Sequence, residues 1–465
     1  MADSHTTSSE NVSAASNADT AAPIVPASIA SPTTSKVISN DPWFGMYADR
    51  AEVMRASEIR ALFAVASRPE VVSLAGGMPY LEKMPFDDLS ELLAKMLRDK
   101  GDIAWQYGSA QGDDHLRELV LQITELEGIT DAQPDDVVIT NGSQSGLDLI
   151  TRIMCNPGDV VLAEAPNYVG ALGVFQSFQV DVENVPLDAD GLIPEAFEQA
   201  IIEQKKLGKK VKFLYTVPNF HNPAGVTMSV ERRPQIIDIA KRHHVLIVED
   251  NPYGLLGFNG QTYPALRSMD ADQVVYLSSF SKIIAPGMRV AWMIAPPAIR
   301  HKLVLANESA ILCPSNMSQM TISTYLDNFD WKKQINEYRG MYRERCNTMD
   351  AALREYLPYC EWNKPKGGFY IWLKIPDGLD ARAMLPRAIT ARVAYVSGTA
   401  FYTNGEGTHH MRLSFCYPTP ERIHEGIRRL AGVMDEEKAT TELFGTTGRP
   451  DPDPRDVEHP GPAVN

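Results

Sequence analysis

The stretch YLSSFSKIIAPGMRVAW (Tyr276–Trp292) sets two apolar runs on either side of a short polar turn, and the turn carries Lys282 with Arg289 seven residues on. A lysine between two buried runs costs several kcal/mol unless it is neutral or paired, so its position asks for a chemical reason. Upstream, the same plan repeats from about Asp135 to Pro297: a β-branched run, a turn, then an amphipathic segment. The runs are DDVVITNG, GDVVLAEAP, QVDVENVPL, KFLYTVPN, HVLIVEDNP, QVVYLSSFS and RVAWMIAP. Strands alternating with helices favour parallel pairing, and runs apolar on both faces suit a sheet covered on each side. The expectation is an α/β fold with a mostly parallel seven-stranded sheet between helices. Ligands in such sheets sit at the carboxyl ends of the strands.

Those strand ends are polar. TNGSQSGLDL places Gly142, Ser143 and Gln144 at a helix start, where free backbone N–H groups cradle phosphate; a plain N-cap reads the same way. EAPNYVGAL offers Tyr168, either a stacking ring or a core residue. TVPNFHNPAG holds Asn219 and Asn222 in turn-forming sequence. HVLIVEDNPYG runs into Glu249, Asp250 and Tyr253, and a carboxylate ending a buried strand must find a donor or cation. The opening stretch adds Ser279, Ser281, Lys282 and Arg289. One ligand requires this whole set: pyridoxal 5'-phosphate needs a lysine amine for a Schiff base, an anion at its pyridine nitrogen, donors at O3', an aromatic ring over its own, and a phosphate site.

At this point the chain resembles a known family. SSFSKIIAPGMRVAW is similar to the S-x-S-K-x-x-x-P-G-x-R lysine motif of class I/II aminotransferases, fold type I of the pyridoxal-phosphate enzymes. NGSQSGLDL resembles their phosphate-binding helix start, PNFHNPAG their P-N-x-x-N-P-T-G, VEDNPYG their strand-end D-x-x-Y, and MRLSFCY the segment whose arginine clamps the substrate carboxylate. Five motifs in order span about Ser57 to Met434. SLAGGMPYLEKMPF and QYGSAQG point within the family to the kynurenine/2-aminoadipate branch. The resemblance implies Lys282 as the Schiff-base lysine, Asp250 as partner of the pyridine nitrogen, Tyr253 and Asn222 as donors to O3', and Tyr168 as the stacked ring. It implies a phosphate cup of Ser143, Gln144, Ser279, Ser281 and Arg289, and a substrate clamp of Arg412 with Asn222 and the backbone of Gly77. Tyr107 resembles the tyrosine that reaches the neighbouring subunit's phosphate, which implies a homodimer. Arg60, in SEIRAL, falls where some relatives read the substrate side chain. Two departures, Ala224 for the usual Thr and Ser397 for a usual Pro, touch no chemistry.

The implied activity moves an amino group from an L-amino acid to a 2-oxo acid, 2-oxoglutarate by expectation, in a ping-pong cycle through Lys282. Its rival is another reaction on the same cofactor, such as that of a decarboxylase, lyase or synthase. The remaining sequence agrees. A formal net charge of −15 argues against nucleic acid or an anionic membrane as partner. Five scattered cysteines form no C-x-x-C pair, so neither a disulfide framework nor a zinc site is signalled, and reducing cytoplasm is the expected setting. The pairs His243–His244 and His409–His410 lack metal-ligand spacing. RGMYRER, in a long amphipathic helix, reads as a solvated charged face. Residues 1–40 and 444–465 read as disordered tails, with an N-terminal arm and part of a small domain at 41–82, a large cofactor-binding domain at 83–325 and a small α+β domain at 326–443.

Overall fold

The computed structural model describes residues 41–54, 62 and 68–444. Contacts divide the chain into two units, 1–46 and 47–465. In the first, residues 41–46 form a turn in which Met46 N–H donates to Trp43 O at 2.8 Å. Among its described residues the second holds three sheets.

The largest has eight strands: β2 (Val137–Thr140), β3 (Val160–Ala165), β4 (Asp181–Asp188), β5 (Gly191–Leu192), β6 (Val211–Thr216), β7 (Leu246–Asp250), β8 (Val274–Ser279) and β9 (Ala291–Ile294), in the order β2-β9-β8-β7-β6-β3-β4-β5. The pairs β8–β7, β7–β6, β6–β3 and β3–β4 are parallel; β9 lies antiparallel to both β8 and β2. All seven expected runs are strands of this sheet. The eighth, β5, is a two-residue hairpin return onto β4, too short to leave a period-2 signal.

The sheet is buried on both faces, and alternate residues divide between two clusters. Val161, Ala163, Phe213, Tyr215, Val248, Val275 and Leu277 pack with Leu147, Ile150, Phe175 and Leu303 from the helices Ser143–Met154, Val169–Ser177 and Pro297–Ile311. Val160, Leu162, Leu214, Ile247 and Val274 pack on the other face with Phe197, Ile201, Ile236 and Ala240, from the helices Pro194–Lys206 and Arg232–His243. This is why those strands read as unbroken apolar runs.

A four-stranded antiparallel sheet follows, ordered β10-β11-β14-β13 from β10 (Glu361–Trp362), β11 (Tyr370–Lys374), β13 (Val396–Ser397) and β14 (His410–Ser414). The stretch VVSLAGG returns to this part of the chain: β1 (Val72–Ser73) pairs in parallel with β12 (Val393–Ala394). The helices Trp331–Tyr356 and Pro420–Phe444 lie where the apolar spacing places them.

RGMYRER is not a solvated face. Helical spacing puts Tyr338, Tyr342, Arg345 and Met349 on the inner side of their helix, all buried. The guanidinium of Arg345 stacks 4.6 Å from the Tyr80 ring centroid and donates to Cys416 O. Four charged letters in seven hid a tyrosine and an arginine pointing inward.

A second buried arginine ties the loops after β6 and β7 together. Arg233 is fully buried; it donates to Pro264 O (2.9 Å), Asn219 Oδ1 (2.7 Å) and Met228 O (3.0 Å). Arg233→Met keeps the bulk and strands three buried acceptors. Thermal unfolding of this variant should show a stability loss of about 3 kcal/mol, and an unchanged midpoint would remove Arg233 from the list of supports.

Candidate active site

A cavity of about 560 Å³ opens at the carboxyl edge of the large sheet, lined among others by Gly77, Ser143, Gln144, Tyr168, Asn222, Asp250, Tyr253, Ser279, Ser281, Lys282 and Arg412. Sheet register explains the gathering. Asp250 is level with Leu277 across β7–β8, and Thr140, Ala291 and Ser279 stand side by side across β2–β9–β8. The residues just past those ends therefore meet.

At one end lie the serines. Ser279 Oγ donates to Ser281 Oγ at 2.8 Å. The helix Ser143–Met154 begins after Gly142, which has a positive φ of 83°. A Cβ on Gly142 would come within 2.0 Å of Arg289 Nη2, so glycine is required for the approach. Arg289 sits at the rim, reaching Asn141 O (3.4 Å) and Ser281 Oγ (3.5 Å). Backbone donors, two hydroxyls and a guanidinium suit a phosphate dianion.

In the middle stands Asp250, 3 % exposed. Tyr215 OH donates to its Oδ2 at 2.8 Å, while Oδ1 has no partner among the described residues. Burial pushes the carboxyl up to about 7, against the opposing pull of the Tyr215 hydrogen bond and the Lys282 charge. A buried carboxylate oxygen without a donor is costly, and a protonated ring nitrogen would satisfy it. Tyr168 flanks the same space, its hydroxyl 3.4 Å from Gln144 Oε1. A side chain on Gly170 would strike that ring at 2.5 Å.

Lys282 extends from the turn after β8, and its Nζ donates to Gly77 O at 2.9 Å. It keeps a part of its surface in the cavity, but the packed protein strips away most of its water. Burial lowers its amine to about 8, with Arg412 and Arg289 pushing the same way and Cys416 and Asp250 opposing. Beyond it lies Arg412, 2 % exposed. Its Nη1 donates to Asn222 Oδ1 (2.9 Å) and its Nη2 to Ala75 O (2.6 Å), leaving Nε without a partner. Its cation lies over the rings of Tyr370 (4.3 Å) and Phe401 (5.1 Å). Among the described residues no carboxylate pairs with it, so it is a desolvated cation open to a substrate anion.

Two expected members stand apart. Tyr107 is 75 % exposed and does not line the cavity, and Arg60 lies outside the described residues. Other contributors carried no motif. Tyr215 holds Asp250; its signal was a phenol inside an apolar run, which needs a partner when buried. Tyr370 and Phe401 bracket Arg412. The Asn222 loop is braced by His221, whose Nδ1 accepts from Ala224 N–H (3.3 Å) while Nε2 faces Glu164 Oε2 (3.3 Å).

The donor set fits pyridoxal phosphate at each end. The family description "Aminotransferase class I and II" matches residues 69–430. An aromatic-amino-acid aminotransferase 1 from Thermococcus litoralis is 38% identical over 393 residues, covering 84% of this chain and 94% of that protein. A 2-aminoadipate transaminase from Thermus thermophilus is 34% identical over 397 residues, covering 84% and 97%. Among solved structures, a Pyrococcus horikoshii kynurenine aminotransferase, described with PMP, with KYN as substrates and KYA as products, superposes with a TM-score of 0.80 at 39% identity, covering 85% of this chain and 98% of that one.

The lowered Lys282 amine has a measurable consequence. Its free base is the nucleophile, and below about 8 the ammonium form dominates. Covalent uptake of pyridoxal phosphate by cofactor-stripped protein should accelerate as pH rises through that value, followed by stopped-flow absorbance. A rate still climbing as for an ordinary lysine, toward about pH 10, would show that the amine is not desolvated.

Proposed function

Since the chain belongs to the class I and II aminotransferases, which work with pyridoxal 5'-phosphate, we propose that it moves the amino group of an aromatic L-amino acid to 2-oxoglutarate in a ping-pong cycle through Lys282. The observation that carries the reading is the joint placement of a desolvated amine, Lys282, and an incompletely satisfied carboxyl, Asp250, in one cavity closed by a cationic clamp, Arg412.

When bound, the cofactor supplies an aldehyde that takes up the amino group and a ring that delocalises the electrons released at Cα. The protein's part is to place protons and exclude water. Asp250, oriented by Tyr215, holds a proton on the ring nitrogen. Tyr253 and Asn222 donate to the O3' side, and Tyr168 covers the ring. Ser143, Gln144, Ser279, Ser281 and Arg289 hold the phosphate. Arg412 binds the substrate carboxylate and fixes which bond at Cα can break. Lys282 would then take the Cα proton as a general base and deliver it to C4' from the same face, a task suited to an amine tuned near working pH. This proton traffic, rather than loss of the carboxylate, favours transamination over a decarboxylase, since Arg412 would keep the carboxylate ionised and held.

The side-chain end supports an aromatic donor. Met78, Val169 and Pro252 add apolar surface to the cavity lining, and the Thermococcus relative is named for aromatic amino acids. The Thermus relative supports a second donor, 2-aminoadipate, whose distal carboxylate Arg60 would read. A second copy of the chain completes the site in this reading. Ile103, Trp105, Tyr107 and Leu312 are all more than half exposed, an apolar patch of the kind that a partner covers, and Tyr107 would reach across it to the partner's phosphate. No helix among the described residues is long and apolar enough to cross a membrane. Residues 83–325 and 326–443 would form the large and small domains.

Lys282→Ala should lower turnover by about a thousandfold or more, and borohydride-treated protein should show no cofactor mass on the chain. Turnover near wild type would refute the lysine's role. A panel of amino donors with 2-oxoglutarate should rank tyrosine, phenylalanine and kynurenine first. Release of carbon dioxide or ammonia in place of a 2-oxo acid would refute transamination.

A further inference from the structure

No motif marks Tyr370, yet it touches two of the groups on which the amino-acid end of the cavity depends. It opens β11 just after the pair Gly367–Gly368 and lines the cavity. Arg412 lies over its ring, 4.3 Å from the centroid, with Phe401 on the guanidinium at 5.1 Å. Its hydroxyl accepts from that of Tyr253 at 3.5 Å, the two rings at 85°. Room for the hydroxyl exists because residue 77 is glycine. A Cβ there would lie 2.1 Å from it, and the Gly77 carbonyl is the acceptor for Lys282 Nζ.

We propose that Tyr370 is a positioning residue for amino transfer: its ring holds Arg412 toward the substrate carboxylate, and its hydroxyl, which accepts from Tyr253 here, turns to donate to Tyr253 once that phenol gives its proton to O3'. The proposal rests on the roles given above to Arg412 and Tyr253. An aromatic face steadies a cation without neutralising it, so the clamp keeps its full charge for the substrate. A carboxylate in the same place would compete with the substrate for it. The second contact acts through cooperativity, since a phenol that accepts a hydrogen bond becomes a stronger donor. Tyr253 would then support an anionic O3' on the cofactor more firmly. Active-site hydrogen bonds commonly start long and tighten in the complex, as the 3.5 Å separation requires here. Burial pushes both phenols up, so each retains the proton it has to give. The charged and titratable groups around the Tyr370 hydroxyl are Arg412, Cys416 and Tyr253, and Tyr168 faces Tyr253.

Two variants of the holoenzyme separate the two contacts. Tyr370→Phe keeps the ring and loses the hydroxyl. Its KM for the amino acid should stay at the wild-type value, while the pH midpoint of the bound cofactor's absorbance moves up by a few tenths of a unit, because the anionic oxygen loses support. Tyr370→Leu loses both contacts. It should show the same midpoint shift together with a roughly tenfold rise in KM and an equal loss of affinity for 3-phenylpropionate, an unreactive carboxylate, by calorimetry. An unmoved midpoint in the Phe variant overturns the hydroxyl's part. Wild-type KM and inhibitor affinity in the Leu variant overturn the ring's part. Arg412→Gln reports on the clamp separately: if it leaves KM unchanged, the reading of Arg412 fails whatever residue 370 does.

Discussion

An amine deprived of water is the constraint on which the rest of this site depends. Among the described residues Lys282 Nζ has one hydrogen-bond partner, the Gly77 carbonyl, and its charge is held down by burial and by two neighbouring arginines. Desolvation of that kind is costly for an ammonium and mild for a free amine, so the surroundings shift the balance toward the form that can bond to a carbonyl carbon. The same surroundings require a rigid, dry floor. The large sheet supplies it: β8 is buried along its whole length between helices on both faces, and the turn bearing Lys282 leaves it at the edge where β7 and β6 also end. The antiparallel strand β9 then returns the chain beside β8, which is how Arg289 comes back to Ser281 and to the start of the helix at Ser143.

The buried acids show how function separates from support. Glu164 accepts from Thr216 Oγ1 and Val217 N–H, and Glu249 from the N–H groups of Leu266 and Arg267. Glu127 receives Asn251 Nδ2 at 2.8 Å and the Tyr276 hydroxyl, and burial raises it to about 8. Each has partners at both oxygens and ties loops or strand ends together. Asp250 has one, from Tyr215, and its other oxygen is the buried carboxylate oxygen left without a partner among the described residues. A buried carboxylate oxygen left unmet calls for an explanation, and a ligand's ring N–H would supply its donor. Glu249 and Asp250 are adjacent in sequence and on opposite faces of one strand, and only the hydrogen-bond inventory tells the structural acid from the chemical one.

Much of this was legible before any coordinates. Parallel strands declare themselves by unbroken apolar runs, and polar residues at their ends converge because the register brings those ends to one edge. Lys282, Asp250, Tyr253, Asn222, Tyr168, Ser143, Gln144, Ser279, Ser281, Gly77 and Arg412 therefore share one cavity, with Arg289 at its rim. What the sequence concealed were side chains whose role comes from packing across elements. Tyr215 and Tyr370 lie within strands, where an aromatic letter looks like core, and nothing local shows that the hydroxyl reaches a carboxylate or another phenol. Phe401 meets Arg412 across two segments of irregular spacing. Arg345 departs from the expected solvated face because charge in a helix does not require exposure: a long side chain can bury its head against a ring and a carbonyl.

The treatment of Arg412 follows the same logic as that of Lys282. Two aromatic faces, a carbonyl and an amide oxygen surround the guanidinium. None carries a full negative charge, so the cation is steadied but not neutralised. A buried ion pair would have made the folded chain indifferent to an incoming carboxylate, because the substrate would have to displace an equal partner. Leaving the charge uncompensated, at some cost in stability, turns that cost into attraction for the substrate. In the proposed reading, Lys282 and Arg412 are two solutions to one problem in a single cavity: one cation is pushed toward neutrality so that it can react, and the other is kept charged so that it can hold.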